Sequence, residues 1–263
     1  MKLNIETKDL LGAIDVPAQW VGLREVYEAH TPRMIRDGVP VANAKTSTHG
    51  IMVEVLVDGQ FGYYGTPDMS TSGISSAAKK AYKQAKIASQ NAIFNFDDSA
   101  RPAHKGEYRS PFIKNASSLS AGHLNDILLE AYSNLKVSDK IVSASSLCQL
   151  IETTSKFVSS NGSDIRQDFL MLEFDLSATA VDGPNQQTRT FGGMRGTCRQ
   201  MGLEYFDKYE IMANANRIGE QAIELLDAKD CPTGEMDLVI APDQMMLQIH
   251  ESIGHALEVD RIL

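Results

Sequence analysis

The sequence predicts an α+β protein in which mostly antiparallel sheets are covered by helices. Several runs alternate apolar and polar residues, which is the period of a strand with one buried face. Other runs repeat small or apolar residues at helical spacing, which indicates helices that pack through one side. A group of strand-like runs followed by a covering helix is the pattern of an α+β module.

The chain is expected to form two such modules, followed by the start of a third domain. An N-terminal α+β domain spans residues 1–98, a linker spans residues 99–118, and a middle α+β domain spans residues 119–229. Residues 232–263 begin a C-terminal domain that is truncated. The chain ends on two large apolar side chains without a helix stop signal, which indicates the N-terminal part of a longer protein.

The N-terminal domain is expected to open with a short helix or a loose arm over residues 1–15, followed by a strand over residues 20–27. The pair Asp58-Gly59 separates two β-rich runs, which predicts a hairpin with a primed turn. A helix should then cover about residues 75–91. Its alanines form a small face suited to close packing on a sheet, namely Ala77, Ala78, Ala81, Ala85 and Ala88.

The linker belongs to a stretch rich in Asp, Ser, Pro and Lys, in which Pro102 and Pro111 interrupt any regular element. The middle domain is expected to hold a helix over 120–136, β-rich segments over 141–151, 153–159 and 169–181, and an amphipathic helix over 207–226. The glycine-rich residues 191–196 lack the Lys-Ser/Thr ending of a phosphate loop, so a flexible turn and no nucleotide cofactor are expected.

The composition excludes several classes of function. With 34 Asp and Glu against 25 Lys and Arg, the formal net charge is −9, so a nucleic-acid binder with a basic face is not expected. The polar start is no signal peptide, and no apolar run is long enough to span a bilayer. The odd number of cysteines, with no close-spaced pair, favours a reducing cytoplasm over a disulfide framework.

Near its end the chain carries His250, Glu251 and His255, a His-Glu-x-x-x-His pattern one residue longer than that of zinc peptidases. Histidines five residues apart lie about 140° apart around a regular α-helix and cannot share one metal ion. A single π-type turn absorbs the extra residue, and Gly254 is the residue most easily bent into that shape. Glu251 would then stand beside the metal as a base.

The surroundings of the pattern favour a metal site. Val239-Ile240 resembles a short strand, Pro242 and Asp243 are good helix-start residues, and several apolar residues could pack the helix inward: Leu247, Ile249, Ile253, Ala256 and Leu257. A chance occurrence of the pattern has a probability of roughly one in a hundred, and two histidines could also be buried residues satisfied within a core.

Residues 247–260 resemble the signature of the TldD/PmbA family, in its motif-bearing, TldD-type branch. Residues 225–228 and 232–235 are similar to the family's approach to that helix, and residues 36–38, 50–53 and 57–59 to its first domain. The resemblance implies a zinc-dependent metallopeptidase that acts on peptides or unfolded proteins. It also implies a homodimer, or a heterodimer with a TldE/PmbA-like subunit that lacks the motif.

The resemblance implies that His250 and His255 bind Zn²⁺, that Glu251 is the general base, and that the third ligand is a cysteine in the domain after the motif helix. No position here corresponds to that cysteine, so this chain alone should lack a complete zinc site. The nearest substitutes are Glu258, which is expected to support the site more than to bind metal, and Asp260. Cys231 is a weaker third candidate.

A second interpretation comes from a different class of function. The chain could be a non-catalytic, peptide-binding subunit of a TldD/TldE-type complex, in which the histidines serve only the core. Zinc near one ion per active subunit would favour the enzyme over this alternative.

Overall fold

A computed structural model of the chain describes residues 7–116, 120–192 and 197–258. It contains one mixed sheet of eight strands with helices packed on it, which confirms the α+β class. The strands are β1 (Trp20–Arg36), β2 (Val39–Asn43), β3 (Thr46–Val57), β4 (Gln60–Thr66), β5 (Lys105–Arg109), β6 (Ile141–Ser159), β7 (Asp164–Asp182) and β8 (Asn185–Thr190). The helices are α1 (Thr71–Ser89), α2 (Ala121–Leu135), α3 (Glu204–Lys208), α4 (Ile211–Glu224) and α5 (Pro242–Ile249).

The sheet runs through both expected modules without interruption. Its order is β4-β3-β1-β6-β7-β5, with β2 paired to the end of β1 and β8 to the end of β7. All pairs are antiparallel except β5 with β7. The pairing of β1 with β6 joins the first module to the second over fifteen consecutive positions, from Gly22 opposite Ser159 to Arg36 opposite Ser145.

This long pairing makes the central strands longer than the sequence predicts. The strand expected over residues 20–27 continues to Arg36, and the segments 141–151 and 153–159 form the single strand β6. Cross-strand hydrogen bonds continue past the point where the apolar alternation fades, because a paired neighbour stabilises the extended chain whatever its local pattern.

The N-terminal hairpin is confirmed. Asp58 and Gly59 both have positive φ, 49° and 76°, as a type I′ turn between β3 and β4 requires. Helix α1 then begins earlier than expected, at Thr71, because Ser70 Oγ accepts a hydrogen bond from the Gly73 amide and caps its first turn. Four of the five predicted alanines are buried against the sheet, whereas Ala88 is exposed.

The helix predicted over residues 207–226 is divided in two. Glu210 adopts a left-handed backbone conformation, with φ of 44°, which ends α3 and starts α4 in a new direction. Helices α2 and α4 can pack closely because Gly219 has no Cβ. A Cβ at this position would lie only 2.4 Å from the carbonyl oxygen of Leu135. Together these helices cover a core on β6 and β7 built around Phe174, Leu172 and Leu128.

The expected linker contributes to the sheet. Residues 105–109 form β5, which lies between Pro102 and Pro111 and pairs in parallel with residues 164–168 of β7. Sequence pattern gives no sign of this strand, because all five of its residues are exposed. The interpretation of this stretch as a simple connection is therefore corrected to a segment that contains an edge strand.

Among the described residues, two large cores lie on one side of the sheet, and a small third cluster of Leu150 and Leu170 with Ala116 lies on the same side. The first gathers Leu23 of β1 with α1, and the second gathers Ile35 of β1 with α2 and α4. Leu23 and Ile35 are twelve residues apart on one strand, and this even spacing places them on the same side of it. The middle of the long strands, between the two cores, is left without a covering helix.

The segment after α4 differs from the prediction. Residues 239–240 form no strand among the described residues, and Val239 is 94% exposed. The apolar side chains of the motif helix are exposed too, contrary to the expected inward packing: Leu247, Ile249, Ile253, Ala256 and Leu257. Within the described ranges no partner strand or core surface covers them. None of the described helices is both long and apolar enough to cross a bilayer.

Candidate metal centre

The His-Glu-x-x-x-His residues lie on one continuous helical segment with a widened turn. Helix α5 begins at Pro242, where a residue without a backbone donor is tolerated because the first amides of a helix lack internal acceptors. The segment passes into a π-helical turn over His250–Gly254 and ends with a 3₁₀ turn over His255–Leu257. This widened turn accommodates the extra residue of the motif.

The widened turn brings the two imidazoles together. The ring centroids of His250 and His255 are 4.4 Å apart, and the rings are nearly perpendicular, at 75°. On a regular α-helix the same two side chains would point about 140° apart. The widened turn therefore brings the two rings to the same side of the helical segment.

Glu251 lies between the two rings. Its carboxylate oxygens are 3.8 Å from Nε2 of His250 and 3.7 Å from Nε2 of His255. The ligating atoms of the three residues all lie within 4.8 Å of one another. Ligands on a tetrahedral zinc ion with Zn–N bonds near 2.0 Å are about 3.3 Å apart, so small side-chain rotations would close this group on an ion.

Glu258 holds His255 from the other side of its ring. Nδ1 of His255 is 2.7 Å from Oε1 of Glu258, which is the length of a charge-assisted hydrogen bond. An N–H at Nδ1 donates to the carboxylate and leaves the lone pair on Nε2, the atom that faces Glu251. A carboxylate behind a histidine in this way fixes the tautomer and the ring direction that a metal needs.

The donor set fits zinc. Two imidazole nitrogens and a nearby carboxylate are ligands that zinc accepts, and the side chains of His250 and Glu251 are 59% exposed, which leaves room for water and substrate. Among the described residues, this is the one group of His, Cys, Asp and Glu with metal-binding geometry. Cys231 is exposed and is not part of it, and Asp260 lies outside the described residues.

Gly254 lies in the widened turn as expected, but the turn does not depend on its being glycine. Its backbone is ordinary helix, with φ and ψ both −57°. A Cβ added there would meet only Ile249 O at 3.9 Å and His250 Nδ1 at 4.0 Å, which are normal contact distances. Neither backbone conformation nor space requires glycine at this position.

One feature of the motif helix has no signal in the sequence. Pro242 and Met246 line a cavity of about 530 Å³ together with Phe191 and Tyr209. Met246 is one helical turn before His250. These side chains come from segments far apart in sequence, so only the folded chain brings them together.

Two family descriptions match the chain. Residues 23–85 match domain 1 of the PmbA/TldA metallopeptidases, and residues 114–229 match their central domain. A metalloprotease of Methanothermobacter thermautotrophicus is 28% identical over 267 residues, which cover 99% of this chain and 56% of that protein. A metalloprotease of Methanocaldococcus jannaschii is 26% identical over 216 residues, covering 82% of this chain and 46% of that protein. This chain therefore spans about half the length of these relatives.

Solved structures share the fold. A protein from Thermotoga maritima, titled as a candidate modulator of a DNA gyrase, superposes with a TM-score of 0.68 at 15% identity, over 87% of this chain and half of its own. TldE from Thermococcus kodakarensis superposes with a TM-score of 0.53 at 13% identity, over 83% of this chain and 46% of its own. At such identities the likeness concerns the fold alone.

Proposed function

The chain belongs to the PmbA/TldD metallopeptidase family, and from that premise we propose that it carries the metal-binding helix of a zinc-dependent peptidase. The observation that supports the proposal most directly is the π turn, which places the ligating atoms of His250, Glu251 and His255 within 4.8 Å of one another. The relatives that are metalloproteases agree with this reaction class.

Each residue has a role in the proposal. A zinc ion supplies Lewis-acid chemistry here, because it lowers the pKa of a water and polarises the scissile carbonyl. His250 and His255 present Nε2 to the ion, and Glu258 holds His255 in the required tautomer. Glu251 accepts a proton from the attacking water on a carboxylate oxygen and then donates it to the leaving amine.

The third protein ligand is proposed to come from sequence beyond the motif helix, as the family resemblance implies. Two imidazoles bind zinc more weakly than the three ligands usual in catalytic sites. We therefore expect the 263-residue chain to bind zinc weakly and to be inactive on its own. Substrates are proposed to be peptides or unfolded proteins, and the partner is a second copy or a TldE/PmbA-like subunit.

A substitution at Glu251 distinguishes the role of a general base from that of a metal ligand. Glu251→Gln removes the proton acceptor and keeps the shape, so the full-length protein should retain its zinc, measured by mass spectrometry of the metal. Its cleavage of an unstructured, fluorescently labelled peptide should fall at least about 100-fold. Glu235→Gln, at an exposed residue in the stretch before α5, is the control and should change neither the zinc content nor the cleavage.

Two results would contradict the assignment. Unchanged cleavage in Glu251→Gln would exclude Glu251 as the base. A purified protein with no zinc and no cleavage would favour the alternative, a non-catalytic peptide-binding subunit.

A further inference from the structure

The two cores on the helix-covered side of the sheet leave a cleft between them. It has a volume of about 500 Å³, and its floor is the middle of β1, β6 and β7. The register defines the floor as two rows across the three strands. One row is Tyr27, Thr154 and Asp168, and the next is Ala29, Glu152 and Leu170. We call this space the central cleft.

The central cleft lies between the two large cores, and Leu170 in its floor belongs to a small apolar cluster with Leu150 and Ala116. Leu23 and Val158 lie in the core on one side of the cleft, and Leu172 lies in the core on the other. Neighbouring strands are about 4.8 Å apart, so the side chains in one row are close enough to contact a common ligand. A volume near 500 Å³ is within the usual range of ligand pockets, about 300–1,000 Å³.

Two carboxylates near the cleft already have hydrogen-bond partners. Asp168 accepts hydrogen bonds from Arg166, at 3.1 Å, and from Thr154, at 2.9 Å. Burial alone would raise the pKa of the Asp168 carboxyl, but these hydrogen bonds hold it below its ordinary value. Glu25, one row further along, is buried and is hydrogen-bonded by Thr7 and His49.

Three charged side chains that line the cleft have no hydrogen-bond partner among the described residues. The guanidinium of Arg109 is 72% exposed and contacts Asp168 only at 3.8 Å. Lys45 and Glu152 line the same cleft, and within the part of the chain that the structure describes neither side chain has an ion-pair or hydrogen-bond partner. The cleft thus offers two cations and one carboxylate, and the aromatic side chains of Tyr27 and Phe112 also line it.

We propose that the central cleft binds an extended peptide segment through a carboxylate. Arg109 and Lys45 hold the carboxylate by charge, because a guanidinium can donate two hydrogen bonds to it. Glu152 accepts hydrogen bonds from N–H groups of the peptide, and the aromatic side chains contact its apolar parts. Peptide binding in the cleft does not depend on the metal-binding helix. The further idea, that the cleft holds a substrate at a distance from the bond that is cleaved, rests on the proposed peptidase function.

Fluorescence anisotropy of labelled peptides tests the proposal on the 263-residue chain, freed of metal by a chelator. Four versions of one otherwise uncharged peptide are compared. The first has a free C-terminus, and the second has an amidated C-terminus and one glutamate. The third has a free C-terminus and one glutamate, and the fourth has an amidated C-terminus and no glutamate. The first two distinguish a terminal carboxylate from an acidic side chain. The fourth peptide should bind at least about tenfold more weakly than the best of the others.

Variants identify the site. The double substitution Arg109→Gln with Lys45→Gln should weaken the carboxylate-bearing peptides at least about tenfold and leave the neutral peptide unchanged. Asp168 keeps Arg166 and Thr154 in this variant, so its melting temperature should match the wild type. Lys83→Gln, an exposed lysine on α1, is the matched control and should bind as the wild type does.

Equal affinity for all four peptides, or no binding at millimolar concentration, would overturn the proposal. A loss of affinity in Lys83→Gln as large as that in the double variant would also overturn it, because that result indicates general charge attraction. The outcome is independent of the proposed function, since the chain contains no metal in this assay. Failure of zinc binding elsewhere would leave these affinities unchanged.

Discussion

His255 is held between two carboxylates: its Nδ1 atom lies 2.7 Å from Glu258 and its Nε2 atom 3.7 Å from Glu251. The shorter contact fixes the ring, and the longer one marks the side on which a metal would bind. We propose from this arrangement that Glu258 positions His255 and is not itself a metal ligand.

Replacing Glu258 should therefore weaken metal binding without removing a ligand. We expect Glu258→Ala to lower zinc affinity by about tenfold or more, since loss of a carboxylate behind a metal-binding histidine typically weakens affinity 10–100-fold. Glu258→Gln can still accept the hydrogen bond and should recover part of the loss. Competition with a chromogenic chelator measures both, and equal affinities in all three proteins would contradict the positioning role.

Gly254→Ala should leave the site intact. The residue has an ordinary helical conformation and open space at the Cβ position, so alanine fits the π turn. Zinc affinity should stay within about twofold of the wild type, measured with the same chelator. A loss of binding comparable to that of a ligand substitution would show that the turn needs glycine after all.

Glu54 should contribute strongly to stability. Its side chain is 3% exposed and lies 3.3 Å from Arg24 and 3.8 Å from Arg101, which themselves stack on Phe157 and Phe61. Glu54→Ala leaves two partly buried guanidinium groups without an anion. We expect the free energy of unfolding to fall by about 2–3 kcal/mol, somewhat below the range for fully buried pairs because both arginines reach solvent.

Urea unfolding measures this change, with Glu130→Ala on the exposed side of α2 as the control. The control should stay within about 0.5 kcal/mol of the wild type. A similar result for Glu54→Ala would mean that the cluster contributes nothing beyond an ordinary surface ion pair.

Glu204 should make stability depend on acid pH. Although burial would raise its pKa, hydrogen bonds from the backbone amides of Lys114, Ile113 and Gly202 lower the pKa of this carboxyl to about 2. A folded-state pKa below the unfolded one stabilises the protein above the unfolded pKa, near 4.5, and this contribution is lost as pH falls toward 2.

Glu204→Gln should therefore show a shallower loss of stability between pH 5 and about pH 2.5 than the wild type, measured by urea unfolding at each pH. The variant should also be less stable at pH 7, where the native carboxylate is ionised. Identical acid profiles for the two proteins would show that the three amides do not hold Glu204 in its charged form.

The parts of the fold that local sequence determines were predictable. Asp58-Gly59 specifies its own turn, and the alanines of α1 specify which side of that helix is buried. Strand β5 was not predictable, because its exposed residues carry no alternation and its partner in β7 is about sixty residues away. The central cleft was not predictable for a similar reason, since its rows combine residues of β1 with residues of β6 and β7 more than a hundred positions later.

The candidate site was likewise predictable from the sequence only in part. The five-residue spacing of His250 and His255 predicts a widened turn from geometry alone, and the π turn is there. Sequence could not reveal that the apolar side chains of the motif helix, such as Leu257, are exposed among the described residues. Periodicity identifies the apolar residues of a helix but not what covers them.

The central claim is that His250 and His255 bind one metal ion together across the π turn. Zinc titration of the metal-free, full-length protein in competition with a chelator tests this, with the variants His250→Ala and His255→Ala and the surface control His123→Ala. We expect one zinc site in the wild type and in His123→Ala. In each of the other two variants we expect zinc to bind at least about a hundredfold more weakly. Wild-type affinity in either single variant, or no site in the wild type, would contradict it.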